Sequence, residues 1–118
     1  MKSINTVPIT VCIPCIPRNT PKLRKCLNSI TNQTMLPKEV IVGHSEITEQ
    51  QGRLVTDSYN YPFPVIFSCK QGKAFAAENR NRACVRASCD YISFIDADDQ
   101  MFSQRLELIW GIIKEHTP

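Results

Sequence analysis

The sequence predicts an α/β fold: a mostly parallel sheet of about four strands with helices on both faces. Two observations carry this. Four short runs of β-branched and apolar residues recur along the 118 residues, and stretches with helical apolar spacing separate them. That alternation is the mark of βαβ units, whose crossovers place strands parallel and helices on the sheet faces. A third observation bounds the class. With 42% hydrophobic and 21% charged residues the chain has the make-up of a folded domain rather than a disordered or coiled-coil one.

The first run, Val7 to Pro14, reads as a strand. Thr20-Pro21 is expected to start a helix, with Thr20 as its cap and Pro21 in the first turn. Leu23, Cys26, Leu27 and Ile30 then fall at i, i+3, i+4, i+7, a single apolar face. Pro37 closes the connection to a second strand, Glu39 to Gly43. Ser45 is placed as the cap of a weaker helix from Ile47 to about Ser58. Asn60 to Pro64 is a loop and Val65 to Ser68 a third strand. Gln71-Gly72-Lys73 turns into a helix from about Ala74 to Ala87. Tyr91 to Ile95 is the fourth strand. A last helix covers about Ser103 to Lys114, with Leu106, Ile109, Trp110 and Ile113 on one face. In such sheets ligands bind beyond the carboxyl ends of the strands. That directs attention to Pro14–Arg18, Gly43–Glu46, Ser68–Lys73 and Asp96–Met101.

Charge narrows the chemistry. A balance of 14 Lys+Arg against 11 Asp+Glu, net +3, is too mild to argue for nucleic acid as a partner. Its distribution says more: Arg80, Arg82 and Arg86 precede Asp90, Asp96, Asp98 and Asp99, a basic segment followed by an acidic one. That order suits a site holding an anion and a metal together. Asp96-Ala97-Asp98-Asp99 follows a buried strand, and Asp96 and Asp98 point the same way in extended chain. Carboxylate oxygens in that setting suit Mg²⁺ or Mn²⁺, which take further ligands from substrate phosphates. The bland alternative is an acidic turn capping the last helix.

The cysteines, Cys12, Cys15, Cys26, Cys69, Cys84 and Cys89, read as reduced thiols packed as small hydrophobes. Cys12-x-x-Cys15 leaves a zinc or redox module as a weaker alternative. His44 and His116 do not stand at zinc-ligand spacing. No apolar run is long enough to span a bilayer, and Pro8, Pro14 and Pro17 interrupt the N-terminal segment as a signal peptide. A cytoplasmic location without a transmembrane segment is the expectation.

These segments together resemble the nucleotide-sugar-binding half of the family-2 glycosyltransferases, which have the Rossmann-like GT-A fold. The resemblance covers about Val7 to Ile109. It rests on the opening strand Ile9 to Pro14, on Leu27-Asn28-Ser29-Ile30 with Gln33-Thr34, and on Pro37 to Val42. Arg80-Asn81, the strand from Asp90 running into Asp96-Ala97-Asp98-Asp99, and Arg105-Leu106 complete it.

The resemblance implies a glycosyltransferase that transfers a hexosyl unit from a nucleotide sugar to an acceptor hydroxyl. Asp96 and Asp98 would hold the ribose and the divalent metal, Mn²⁺ or Mg²⁺, with Asp99 sharing the metal. Pro14, Cys15 and Ile16 would line the nucleobase pocket, and Arg80 would contact the nucleotide. The donor would be a nucleoside-diphosphate sugar, a UDP-sugar first, and the acceptor a glycan, lipid or protein.

Two departures stand out. Ile16-Pro17-Arg18-Asn19 replaces the family's Tyr-Asn type turn. Gly43-His44-Ser45 replaces its Asp pair after the second strand, which leaves His44 as a candidate for a base edge. In the family the acceptor half and the catalytic base follow the Asp-x-Asp helix, so residues 1–118 read as one truncated domain with its base expected beyond Pro118. Such a chain should bind more than it catalyses. The alternative is an inactive binding or interaction module that self-associates through uncovered surfaces. A nucleotidyltransferase is disfavoured, because no Gly-rich loop follows the first strand.

Overall fold

A computed structural model describes residues 5–56 and 60–116. Four strands form one sheet: β1 (Thr6–Cys15), β2 (Leu36–Ser45), β3 (Val65–Lys70) and β4 (Tyr91–Phe94). Their order is β3-β2-β1-β4, and all three pairings are parallel. The α/β expectation therefore holds, with the two longest and most apolar strands at the centre. Helices α1 (Leu23–Thr31), α2 (Glu49–Thr56), α3 (Ala76–Val85) and α4 (Arg105–His116) alternate with the strands.

Side-chain parity assigns the faces. Val7, Ile9, Val11, Ile13 and Cys15 of β1 join Val40 and Val42 of β2 and all four apolar residues of α1 in the main core. Ile109, Trp110 and Ile113 of α4 pack against the same core. Cys12 and Ile41 point to the opposite face, where Ala83 of α3 covers them. Gly43 makes that cover close. A Cβ there would overlap the Asn79 carbonyl oxygen, so α3 can lie against β2 only over a residue without a side chain.

Several boundaries differ from the sequence reading, each for a physical reason. Thr20-Pro21 do not start α1; they lie in a 3-10 helix, Pro17–Lys22, and α1 begins at Leu23 with no side-chain cap. The Thr20 hydroxyl is engaged by His44 instead. Ser45 does not cap α2 either, being the buried last residue of β2. The cap is Thr48: its Oγ1 accepts from Gln51 N–H at 3.1 Å, and Gln51 Oε1 accepts from Thr48 N–H at 2.9 Å. That is a reciprocal capping box. The expected end of this helix near Ser58 lies outside the described residues. Pro37 is inside β2, opposite Val7, where β1 shifts register between Val7 and Thr10. An irregular stretch at a strand start tolerates a residue without N–H. Among the described residues no helix is long and apolar enough to cross a membrane.

Candidate functional site

The carboxyl ends of the strands converge on a cleft of about 820 Å³. One wall is Pro14 to Asn19, at and beyond the end of β1. Glu46 follows β2. Lys73 to Ala76 lead into α3, which adds Glu78, Asn79 and Arg80, while Asp96, Ala97 and Asp98 follow β4. Six of the predicted site residues, Pro14, Cys15, Ile16, Arg80, Asp96 and Asp98, are thus brought together around one space. Each of the four segments singled out beforehand contributes at least one lining residue.

Asp96, Asp98 and Asp99 are exposed, and one carboxylate oxygen from each lies within 4.8 Å of the others. The turn is set by Asp99 N–H donating to Asp96 O at 3.0 Å. Three hard oxygen donors at that separation, open to solvent, are the donor chemistry that Mg²⁺ and Mn²⁺ take. Arg80 reaches Asp96 Oδ1 at 3.5 Å and lies over the Phe94 ring at 5.7 Å. With both side chains more than a third exposed, this ion pair is weak enough for a cation or phosphate to displace.

The floor is rigid because Asn79 is fully buried and fully bonded. Its Nδ2 donates to Cys15 O and to Ser45 Oγ, both at 3.1 Å, and its Oδ1 accepts from Arg82 at 2.6 Å. One amide thereby ties the ends of β1 and β2 to α3, one residue before Arg80. The turn after β4 is held from the other side. Gln33, also buried, donates to Phe102 O at 2.6 Å and accepts from Leu106 N–H at 3.1 Å. Ser29 Oγ accepts from Met101 N–H at 2.8 Å.

His44 is not in the cleft lining, contrary to the sequence reading. It is 1% exposed and stacks on Phe67. Its Nδ1–H donates to Ser45 O at 2.8 Å, which makes Nε2 the acceptor of the Thr20 hydroxyl at 2.7 Å. Both ring nitrogens are used inside the protein, so neither is free for a base edge. Burial, offset by the Ser45 carbonyl and reinforced by Arg82, holds the imidazole below its usual pKa.

The Cys12-x-x-Cys15 pair is no chelate. Three residues apart on a strand, the thiols leave by opposite faces: Cys12 joins the α3 side and Cys15 the main core. Burial pushes Cys12, Cys15 and Cys26 each up to about 12, so all are thiols at neutral pH.

Sequence reasoning reached Glu46 only as the last residue of the Gly43–Glu46 segment, without a role, and missed Asn79 and Phe75. Glu46 has φ 58°, the one non-glycine residue with positive φ among those described, and stands in the cleft on a backbone bond to Gly72 O. Phe75 stands 89% exposed on the rim. Of the two missed residues only Asn79 carries a signal: with Ala83 four residues on, it marks a sheet-facing stripe on α3.

Comparison with known proteins agrees with this geometry. Residues 10–118 match the family described as Glycosyl transferase family 2. The chain is 28% identical over 94 residues to "Glycosyltransferase GlyA" of Streptococcus pneumoniae serotype 4, covering 80% of this chain and 13% of that protein. It is 28% identical over 92 residues to "Uncharacterized glycosyltransferase YibD" of Escherichia coli K12, covering 78% and 26%. Among solved structures, S. aureus TarS 1-349 in complex with UDP-GlcNAc superposes with a TM-score of 0.75 at 25% identity, covering 92% of this chain and 31% of that one. The chain thus spans about a quarter or less of the length of these two curated relatives. The parallel sheet, the helix placement and these neighbours establish the GT-A architecture, and the chain belongs to glycosyl transferase family 2.

Proposed function

We propose that the cleft binds a nucleoside-diphosphate sugar and that the domain serves transfer of its sugar to an acceptor hydroxyl. The observation that carries this is the Asp96, Asp98 and Asp99 oxygen cluster opening onto a cleft of about 820 Å³. Asp98, Asp96 and Asp99 would hold Mn²⁺ or Mg²⁺. When bound, the ion would supply Lewis-acid stabilisation of the departing diphosphate. Pro14, Cys15 and Ile16 offer an apolar wall for the base. Arg80, once released from Asp96, offers a guanidinium to the nucleotide. Asp96, exposed in the cleft lining, would also accept from a ribose hydroxyl. The complex of TarS 1-349 with UDP-GlcNAc makes UDP-sugars the first donors to test. No general base is assigned within the chain: Glu107 and Glu115 lie exposed on α4, away from the cleft lining.

Calorimetric titration of UDP, GDP and CDP with Mn²⁺, then with EDTA, tests the reading. One nucleotide is expected to bind with metal and to lose affinity without it. Asp96→Asn with Asp98→Asn should abolish the metal-dependent part, and unchanged affinity in that variant would overturn the assignment.

A second reading, an interaction module, is favoured by one observation. Ile92 and Phe94 of edge strand β4 and Leu108 and Ile112 of α4 are exposed apolar side chains. Such surface invites a covering partner or a second copy.

A further inference from the structure

We propose, on the reading that the cleft binds a nucleoside diphosphate, that Glu46 reads the edge of the base and makes guanine the preferred one. The observation behind this is backbone strain. Glu46 is held at φ 58°, in the left-handed region that disfavours a side chain. Its N–H donates to Gly72 O at 3.1 Å, and the next N–H, of Ile47, donates to Lys70 O at 3.1 Å. The end of β2 is thereby tied to the end of β3 and the turn after it.

Glycine would adopt this conformation without steric cost. The chain carries a carboxylate there instead, and that residue lines the cleft. Among the described residues no hydrogen bond or ion pair engages the Glu46 carboxylate. Strain kept for a charged group that the fold itself does not use points to a ligand.

The sheet decides which part of a nucleotide arrives there. In the order β3-β2-β1-β4, Glu46 after β2 and the Asp96–Asp99 turn after β4 are separated by β1. Two strand spacings are about 10 Å, so Glu46 is out of reach of a cation held by the three aspartates. A diphosphate anchored at the acidic turn extends its nucleoside along the cleft toward Glu46. Lys73 and Phe75 line the same end, where Ala74 O accepts from Ser45 Oγ at 3.4 Å. Phe75, exposed on the rim, offers a ring face for stacking, which every base can use. Discrimination between bases falls to Glu46.

A carboxylate only accepts hydrogen bonds. Guanine presents two adjacent donors, N1–H and the N2 amino group, one for each carboxylate oxygen. Uracil presents a single N–H between two carbonyl oxygens, and these repel the second carboxylate oxygen. Cytosine and adenine set their amino group beside a ring nitrogen that accepts. Guanine alone gives Glu46 a bidentate, charge-assisted partner. Lys73, exposed and in no ion pair among the described residues, adds a donor for guanine O6.

Calorimetry of GDP, IDP and UDP on the 118-residue chain with Mn²⁺, and then with EDTA, tests this; IDP is GDP without the N2 amino group. GDP is expected to bind at least about fivefold more tightly than IDP, and more tightly than UDP. Glu46→Gln keeps the size of the side chain but not its charge, and should bring GDP level with IDP. Glu46→Gly should also bring them level, and its melting temperature should not fall, because glycine relieves the positive φ. Phe75→Ala should weaken GDP and IDP alike, by about fivefold or more, since stacking does not read the edge.

Metal-dependent binding with GDP no tighter than IDP, or with UDP tighter than GDP, would overturn the role of Glu46 and leave the nucleotide cleft standing. So would a folded Glu46→Gly chain that still prefers GDP to IDP. Failure of all three nucleotides to bind, or binding that EDTA does not weaken, would instead overturn the nucleotide reading and this inference with it.

Discussion

His44 shows how a single side chain can be withdrawn from a site by packing. Its imidazole closes a chain from the Thr20 hydroxyl through Nε2 and Nδ1–H to Ser45 O, and so fastens the 3-10 helix to the end of β2. Burial keeps its folded pKa below the ordinary 6.5. A depressed pKa contributes stability that is present above the unfolded value and lost as pH falls through the folded one. Urea stability should therefore decline as pH drops below about 6.5, and His44→Gln should flatten that decline. Parallel decline in both proteins would place the titration elsewhere. Glu39 acts by the same logic at lower pH. Burial raises its pKa, but the Ser88 N–H, Thr10 and Ser88 hydroxyls together hold it below the usual 4.5, so its contribution is lost only in more acid solution. Neither role was legible beforehand, because a residue's burial depends on which segment folds over it. The acidic turn was legible, because carboxylates at i and i+2 after an apolar strand need no tertiary information to be placed together.

At the scale of elements, α3 and α4 reach the site by two different devices. Helix α3 approaches the sheet over Gly43 and Ala83 and is pinned by Asn79. Gly43→Ala should destabilise by about 1–3 kcal/mol, as overpacking does. Gly111→Ala is the contrast: an added Cβ meets nothing within 4 Å on exposed α4, so about 0.5–1 kcal/mol of stabilisation is expected there. Thermal melts of the two variants check both signs. Helix α4 depends on Gln33, which bonds the strand-to-helix connection and the Leu106 N–H. Gln33→Leu leaves those buried groups unpaired, at about 1–3 kcal/mol each. It should also loosen the acidic turn, weakening Mn²⁺ affinity measured alongside the melt; an intact affinity would separate Gln33 from the site. In sequence, Gln33 was visible only as part of a resemblance. The hydrogen bonds supply its physical reason.

At the scale of the molecule, α3 covers β1 and β2 but leaves Ile92 and Phe94 of β4 exposed, and α4 turns Leu108 and Ile112 outward. Sedimentation equilibrium should show mass rising with concentration, and Leu108→Ser with Ile112→Ser should shift the chain toward monomer. A concentration-independent monomer would remove the self-association reading.

The sequence by itself determined the parallel α/β architecture, the apolar face of α1 and the acidic turn, because each follows from a local period or from adjacent charges. Tertiary structure decided the rest. It turned His44 inward, gave Ser45 to the sheet, held Glu46 at φ 58° in the cleft and made Asn79 its floor. These outcomes depend on contacts between residues tens of positions apart, and no periodicity within one segment encodes them.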